Sequence, residues 1–451
     1  MAERLQQRQG TSAQWAAANP VLVAGEIGYD RTTGKVKFGD GSTAWSALPG
    51  LPGATDLVFN VKDFGAKGDG VTDDRAAIVA AMTAAPAGST IYFPPGTYLV
   101  DASLTITKAL TFRGAGATIV KGPTTTITGN WMVANVGGIK FRELAVTDPN
   151  GKITGNMFTS GAAISGLEWR DCQLYSPLGV ALRFARVTSG LIDTVDIIGC
   201  RVGVQIENDA RLVDVHRANI SNWVDRGVYV VGTTNAPTDV TLDDITVTNF
   251  LGGGSARYPI MATKGAAPTN IQRLTYKDLT VVGPGRSYTA ATNPGTADQI
   301  AMFSTDDFRI IGCVSRGGGD MGITVDGDCA RGVVAGNVAT ENDAAGFAVW
   351  NGSSKIAVNG NTAMRNGQNR NLDRFDYTRA GFRMSGARDI ALSGNTLGDD
   401  QTTKTQNYGA SLSSCTNVSL GPDVDAGNAL GLYFKEGAAN TGIVRATTAA
   451  F

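Results

Sequence analysis

Asp326 and Asp328 stand two positions apart in the stretch GITVDGDCARG, roughly 6.7 Å on an extended strand. Two carboxyl groups at such separations are what hydrolysis of a glycosidic bond uses, one as acid and the other as base or nucleophile. Like charges held close also raise one pKa, which supplies a general acid. Asp306 is expected to stack near Asp328 at about 4.8 Å, and Asp320, Glu341 and Asp343 fall at neighbouring turns from which they could join or replace the pair. Trp350 and Arg383 belong to the same set. An indole covers the apolar face of a sugar ring, and a guanidinium bonds its hydroxyls. Trp350 reads equally well as a lid on a loop of its own chain.

These residues come together only if the chain repeats. Gly322 opens GITVDGDCARGVVAGNVATEND and Gly346 opens GFAVWNGSSKIAVNGNTAMRNG, and the same interval separates Asn337 from Asn361. Gly203 and Gly227 show it earlier, and GFRMSG from Gly381 and GASLSS from Gly409 follow. A period of this length, about 24 residues, means a solenoid. With parallel coils about 4.8 Å apart, Ile323 and Val325, Phe347 and Val349, Phe382 and Met384, and Ala410 and Leu412 form an internal stack. Alternation then turns Thr324, Asp326, Ala348, Trp350, Arg383 and Ser385 outward. Asn337, Asn361 and Asn395 are expected at corners, bonding turn backbone or one another. The step from Gly346 to Gly381 is longer than the one from Gly322 to Gly346, an insertion that carries Arg374 and Tyr377 as further glycan contacts. The alternative is a solvated loop or a contact between subunits.

The solenoid needs a cap. In VFNVKDFGAKGDGVTDDRAAIVAAMTAAPAGSTIYFPPGTY, a short strand and three glycine turns lead to a helix capped by Asp73 or Asp74, which buries Ala77, Ile78, Ala81 and Met82. A second strand then stops at Pro94-Pro95-Gly96. This wording resembles the opening motif of the pectate-lyase-like superfamily. The resemblance implies an all-β fold, a right-handed parallel β-helix, capped by residues 54–100 and running over 101–451. Activity does not transfer, because the motif serves lyases, hydrolases and phage tailspikes alike. β-Helix polygalacturonases carry a Gly-His-Gly turn, and the corresponding turn here reads AAGFAVW. His216, the only histidine, lies several coils away and reads as structural. Pectate lyases hold calcium in a carboxylate cluster with an arginine base, for which Arg383 beside Asp326 and Asp328 is a loose counterpart. No organic cofactor is expected, and calcium is the metal left open.

Glycine at 58 of 451 residues, about 13% against an ordinary 7% or so, excludes a helix-rich fold. With 39 basic and 40 acidic residues there is no global field for nucleic acid, and no apolar run long enough for membrane insertion occurs. The five cysteines show no C-x-x-C spacing and read as small buried hydrophobes. MAERLQQRQG lacks the apolar core of a signal peptide.

LPGLPG at Leu48–Gly53 sets off residues 1–53 as a small β-rich domain with a hairpin turning at Asp30–Gly34. Its order GEIGYD, TGK, GDGSTAW resembles the N-terminal module of bacteriophage tail proteins of the major-tropism-determinant type. That resemblance implies attachment to phage tail or baseplate proteins, a place in the virion, and a homotrimer. The expectation is a tail fibre or tailspike that binds host surface polysaccharide. The alternative is a depolymerase that cuts it by hydrolysis or β-elimination, and a cellular polysaccharide-degrading enzyme is a distant third.

Overall fold

The computed structural model describes residues 7–50, 57–175, 178–251, 258–283, 298–368, 379–436 and 440–445. Met1–Phe59 and Asn60–Phe451 form two compact units.

In the first unit, Ile27–Asp30 and Val36–Phe38 pair antiparallel, and Gln7–Gly10 adds in parallel to Ile27–Asp30. The expected hairpin is present: the Gly34 N–H donates to the Asp30 carbonyl at 2.8 Å. Thr11 caps the helix Ser12–Ala18 reciprocally with Gln14, which satisfies donors that so short a helix would otherwise leave open. The helix delivers Trp15 to a core with Leu22, Trp45 and Leu48, where the two indoles stack at 3.8 Å.

The chain enters the second unit through strand Val58–Asn60, and the elements expected of the cap follow: a turn of 3-10 helix at Val61–Phe64, helix Arg75–Ala84 and strand Thr90–Tyr92. Asp73 accepts from the Arg75 N–H at 3.1 Å. Asp74 occupies the N-cap position without bonding the helix. Its buried carboxylate instead accepts from Lys67 N and Gly68 N at 2.6 and 3.0 Å, tying down the glycine loop.

Beyond it the chain is a right-handed parallel β-helix. Among the described residues the strand pairings from Asp69–Asp73 onward are parallel. Thirteen strands, from Leu104–Ile106 to Gly431–Glu436, form one continuous face. In the earlier coils a long strand such as Val187–Ile198 bends across the other two faces. Later it divides, as into Ala330–Ala335 and Val338–Thr340. The bend sits in one column of left-handed residues. Thr194, Arg217, Asp244 and Asp278 have φ of 54, 49, 53 and 50°, and Gly312, Gly336, Gly360 and Gly394 replace them at 67, 65, 63 and 66°. The switch to glycine removes the steric cost of that turn.

The predicted register holds. Ile323 pairs with Phe347, Phe347 with Phe382, and Phe382 with Ala410, all inward and buried, and the two phenylalanine rings stack at 4.4 Å. Just past the glycine corner, Asn337, Asn361 and Asn395 are fully buried and bond in sequence, the side-chain oxygens of Asn361 and Asn395 each accepting from the asparagine one coil before. A second ladder runs at the opposite corner through Asn342, Asn366, Gln406 and Asn428. Both satisfy polar groups the interior would otherwise strand. All five cysteines are free and buried, and burial raises their thiol pKa values, to about 12 for Cys172, Cys200, Cys313 and Cys329. Among the described residues no helix is long and apolar enough to cross a membrane.

Candidate functional site

The outer side of the thirteen-stranded face carries one column of neighbours: Arg183, Gln205, Tyr229, Met261, Ala301 and Thr324, continuing through Ala348 to Arg383. Its seven steps span about 34 Å. In the earlier coils this side is partly open and mixes polar and aromatic groups. Arg183 pairs with Glu207. The Arg226 guanidinium lies 4.3 Å over the Tyr229 ring while bonding Asp225 at 3.0 Å. Tyr258 stands edge-on to Phe303, ring centroids 5.9 Å apart.

The column closes over in the later coils. Thr324, Ala348 and Arg383, expected on an open surface, are buried at 0, 1 and 8% exposure, and Ser411, which pairs with Arg383 on the next coil, at 0%. Part of the cover is a small apolar cluster of Met321, Ala344, Ala345 and Ala348, and Trp350 packs on it partly buried. The lid role of Trp350 therefore has a physical basis in its own chain, while the ring keeps some exposure.

Between the open and closed stretches lies a group of carboxyls that the residue-spacing reading only half located. Register places Tyr258 next to Asp298, because Ile260 pairs with Ile300. The Gln299 N–H donates to the Met321 carbonyl at 3.1 Å, so the Asp298 corner rests on the Asp320 corner one coil on. Asp298 is 7% exposed. Burial, and next the negative charge of Asp320, push its pKa well above the usual carboxylate range, with a smaller push from Asp326. The Thr324 hydroxyl lies near enough to temper that rise, yet it has no partner at hydrogen-bonding geometry. Burial and the charges of Asp298, Asp320 and Asp326 also push the Tyr258 phenol up to about 12. Asp326 is partly exposed at the strand end, and its Oδ1 accepts from Gly327 N at 2.6 Å and Asn351 Nδ2 at 2.7 Å.

The remaining predicted residues disperse. Asp328 leaves the face, because Gly327 and Asp328 both turn left-handed, at φ 63 and 65°, and carry it to an exposed corner. Asp306 pairs with Ala330, not Asp328, because the interval between partners lengthens by one position after Phe303, which pairs with Asp326. The stacked Asp306–Asp328 pair is therefore not formed. Asp306 sits on the next face, bonded by Asn270, Gln272 and Arg331 at 3.1, 3.3 and 3.3 Å. Glu341 bridges Arg316 and Arg365 at 3.1 and 3.2 Å, and Asp343 is buried beneath the corner. Arg374 and Tyr377 lie outside the described residues. His216 is 3.5 Å from Asp243 on a charged face. Among the described residues no three His, Cys, Asp or Glu side chains are placed to hold a metal ion.

Residue spacing missed Tyr258, Asp298 and Phe303. A usable signal was present: aligning the Ile of DQIAMF with the Ile of GITVD sets Asp298 one coil before the Asp320 corner.

Comparison with known proteins follows the same division of the chain. Residues 5–43 match the major tropism determinant N-terminal domain, residues 58–250 the rhamnogalacturonase A/epimerase, pectate lyase-like family, and residues 202–397 the right-handed beta helix region. Tailspike protein 3 of bacteriophage CBA120 superposes with a TM-score of 0.61 at 15% identity, over 91% of this chain and 65% of its own. The A-module of Azotobacter vinelandii mannuronan C-5 epimerase AlgE6 gives a TM-score of 0.53 at 18% identity, over 86% and 99%. In sequence, mannuronan C5-epimerase AlgE6 of the same organism is 50% identical over 74 residues, which is 14% of this chain and only 8% of that protein. At these identities the structural likenesses speak to fold. The chain is thus a major-tropism-determinant-type N-terminal domain followed by a pectate-lyase-like right-handed parallel β-helix.

Proposed function

We propose that this protein is a phage tail fibre or tailspike, with the N-terminal domain joining it to the tail and the outer groove of the thirteen-stranded face binding host surface polysaccharide. The observation that carries the reading is the order of the chain: a tail-type module at residues 5–43 precedes a helix whose outer face carries Arg183, Gln205 and Tyr229 on successive coils, with the Tyr258 and Phe303 rings packed edge-on further along. Tyr229, Tyr258 and Phe303 offer partly exposed ring faces, and Arg183, Gln205 and Asp326 offer donors and acceptors for hydroxyls. A linear polymer suits such a groove, because each coil adds another subsite along the axis. A homotrimer in the virion belongs to the same reading.

The test is adsorption of the full-chain protein to a panel of bacterial strains. Binding should be lost when surface glycans are oxidised with periodate and kept when surface proteins are digested. Trp350→Ala should weaken adsorption while the fold stays intact. Binding that follows protease treatment rather than periodate would refute the glycan reading. A second reading is cleavage of the bound polymer, favoured by the enclosed Asp298 carboxyl beside the Asp320 corner.

A further inference from the structure

On the reading that the protein is a homotrimer, we propose that the β-helix face carrying Val338–Thr340 and its counterparts on the other coils packs against a second copy of this chain. Two ranks of side chains leave this face outward, Thr118 through Val424 and Val120 through Ala426, and eleven strand pairings link them coil to coil. The residue between the ranks on each coil, such as Leu174, Ile197, Val247 or Leu397, turns inward and is buried. Of the outward residues only Asp196 and Arg316 are charged. Asp196 accepts from Asn219 Nδ2 at 3.0 Å and Arg316 pairs with Glu341 at 3.1 Å, so closing the face leaves neither without a partner.

The adjoining face, on the other side of the bend, is built differently. Glu168, Arg170, Asp214, Asp243 and Lys277 leave it outward, as suits a side that stays in water. On the uncharged face, Tyr175, Ile198, Val282 and Val424 are 38, 39, 44 and 57% exposed in the single chain. Aromatic and apolar groups with charge depleted are the composition of an interface core.

Its size also fits. Eleven coil steps of about 4.8 Å make a length of about 53 Å, and the strand with one residue on either side is about 13 Å wide, which gives about 700 Å². A standard interface takes about 800 Å² from each partner. Another copy is the occupant that matches the whole length, because its ranks recur at the same coil spacing and stay in phase from end to end. A partner of other build would match only locally.

The experiment measures the mass of the full chain by sedimentation equilibrium and the maleimide reactivity of single introduced cysteines. The five native cysteines are buried and stay silent. Ile198→Cys and Val333→Cys form a matched pair, because the parent residues are 39 and 37% exposed in the single chain and Val333 lies on the adjoining face. The mass should be three times the 46.8 kDa of one chain. With a cooperative melt retained, Ile198→Cys and Val282→Cys should each react at least about tenfold more slowly than Val333→Cys. A threefold mass with either thiol as reactive as Val333→Cys would overturn the contact and leave the homotrimer standing. A twofold mass with both thiols slowed would uphold the contact and overturn the trimer, and a single-chain mass would overturn both.

Discussion

Replacing Asn361 with alanine should open the C-terminal coils locally by about 4 kcal/mol. The side chain is fully buried. Its Oδ1 accepts from Asn337 N and Nδ2 at 3.0 and 2.9 Å, and its Nδ2 donates to the Val334 carbonyl at 2.9 Å and to Asn395 Oδ1 at 3.0 Å. Four buried bonds at about 1 kcal/mol each set the scale, and the abandoned Asn337 donors and Val334 acceptor find no water in exchange. Because a solenoid transmits stability chiefly between neighbouring repeats, the loss should be local. The reporters are the Thr362 and Thr396 amides, which donate to the Asn337 and Asn361 carbonyls at 2.8 Å. Their hydrogen exchange should quicken by roughly a thousandfold, at about 1.4 kcal/mol per tenfold, while Val213 and Val215, many coils away, stay unchanged. Asn359→Ala, just before it in sequence and exposed, should cost under about 0.5 kcal/mol. An acceleration below tenfold in Asn361→Ala would refute the view that the ladder holds the coils in register.

Other perturbations separate the remaining arguments. Asp298 has a folded-state pKa above its unfolded value of about 3.9, so the folded state binds the extra proton and stability falls as pH rises from about 4 through the raised value, by up to about 1.4 kcal/mol per pH unit. Asp298→Asn should flatten that slope in denaturant titrations at several pH values and leave the variant more stable than the parent near neutrality; an unchanged slope would locate the titration elsewhere. Trp15→Ala removes an indole stacked on Trp45 and bonded through Nε1 to the Tyr29 carbonyl at 3.0 Å, a loss of about 3–5 kcal/mol that should unfold the N-terminal unit and let protease trim the chain to the β-helix. Gly336→Ala meets no atom and should cost about 1–2 kcal/mol from its φ of 65° alone. Gly332→Ala would drive its Cβ into the Phe308 ring and should cost more by chemical denaturation, so equal costs would refute the packing argument.

The repeat, the inward stack, the asparagine corners and the N-terminal hairpin were legible in the sequence because each is local or strictly periodic. A glycine before an asparagine, recurring at Gly336, Gly360 and Gly394, reports one backbone turn, whatever the rest of the coil does. Coil length is another matter. Tyr258 and Asp298 are neighbours across a long coil, Phe303 and Asp326 across a short one, and Phe347 and Phe382 across the coil that carries the insertion. A fixed period therefore misplaces side chains wherever a coil is longer or shorter, which is why Asp306 was set beside Asp328 when it faces Ala330. Alternation along a strand also states which way a side chain leaves the sheet, not what covers it. Thr324 and Arg383 leave outward and are buried all the same. The sequence by itself determined a parallel coil and its repeating interior, since these follow from backbone geometry and apolar spacing. Only the tertiary structure decided which carboxyls meet, since that depends on summed register through coils of unequal length and on the enclosure that raises one of their pKa values.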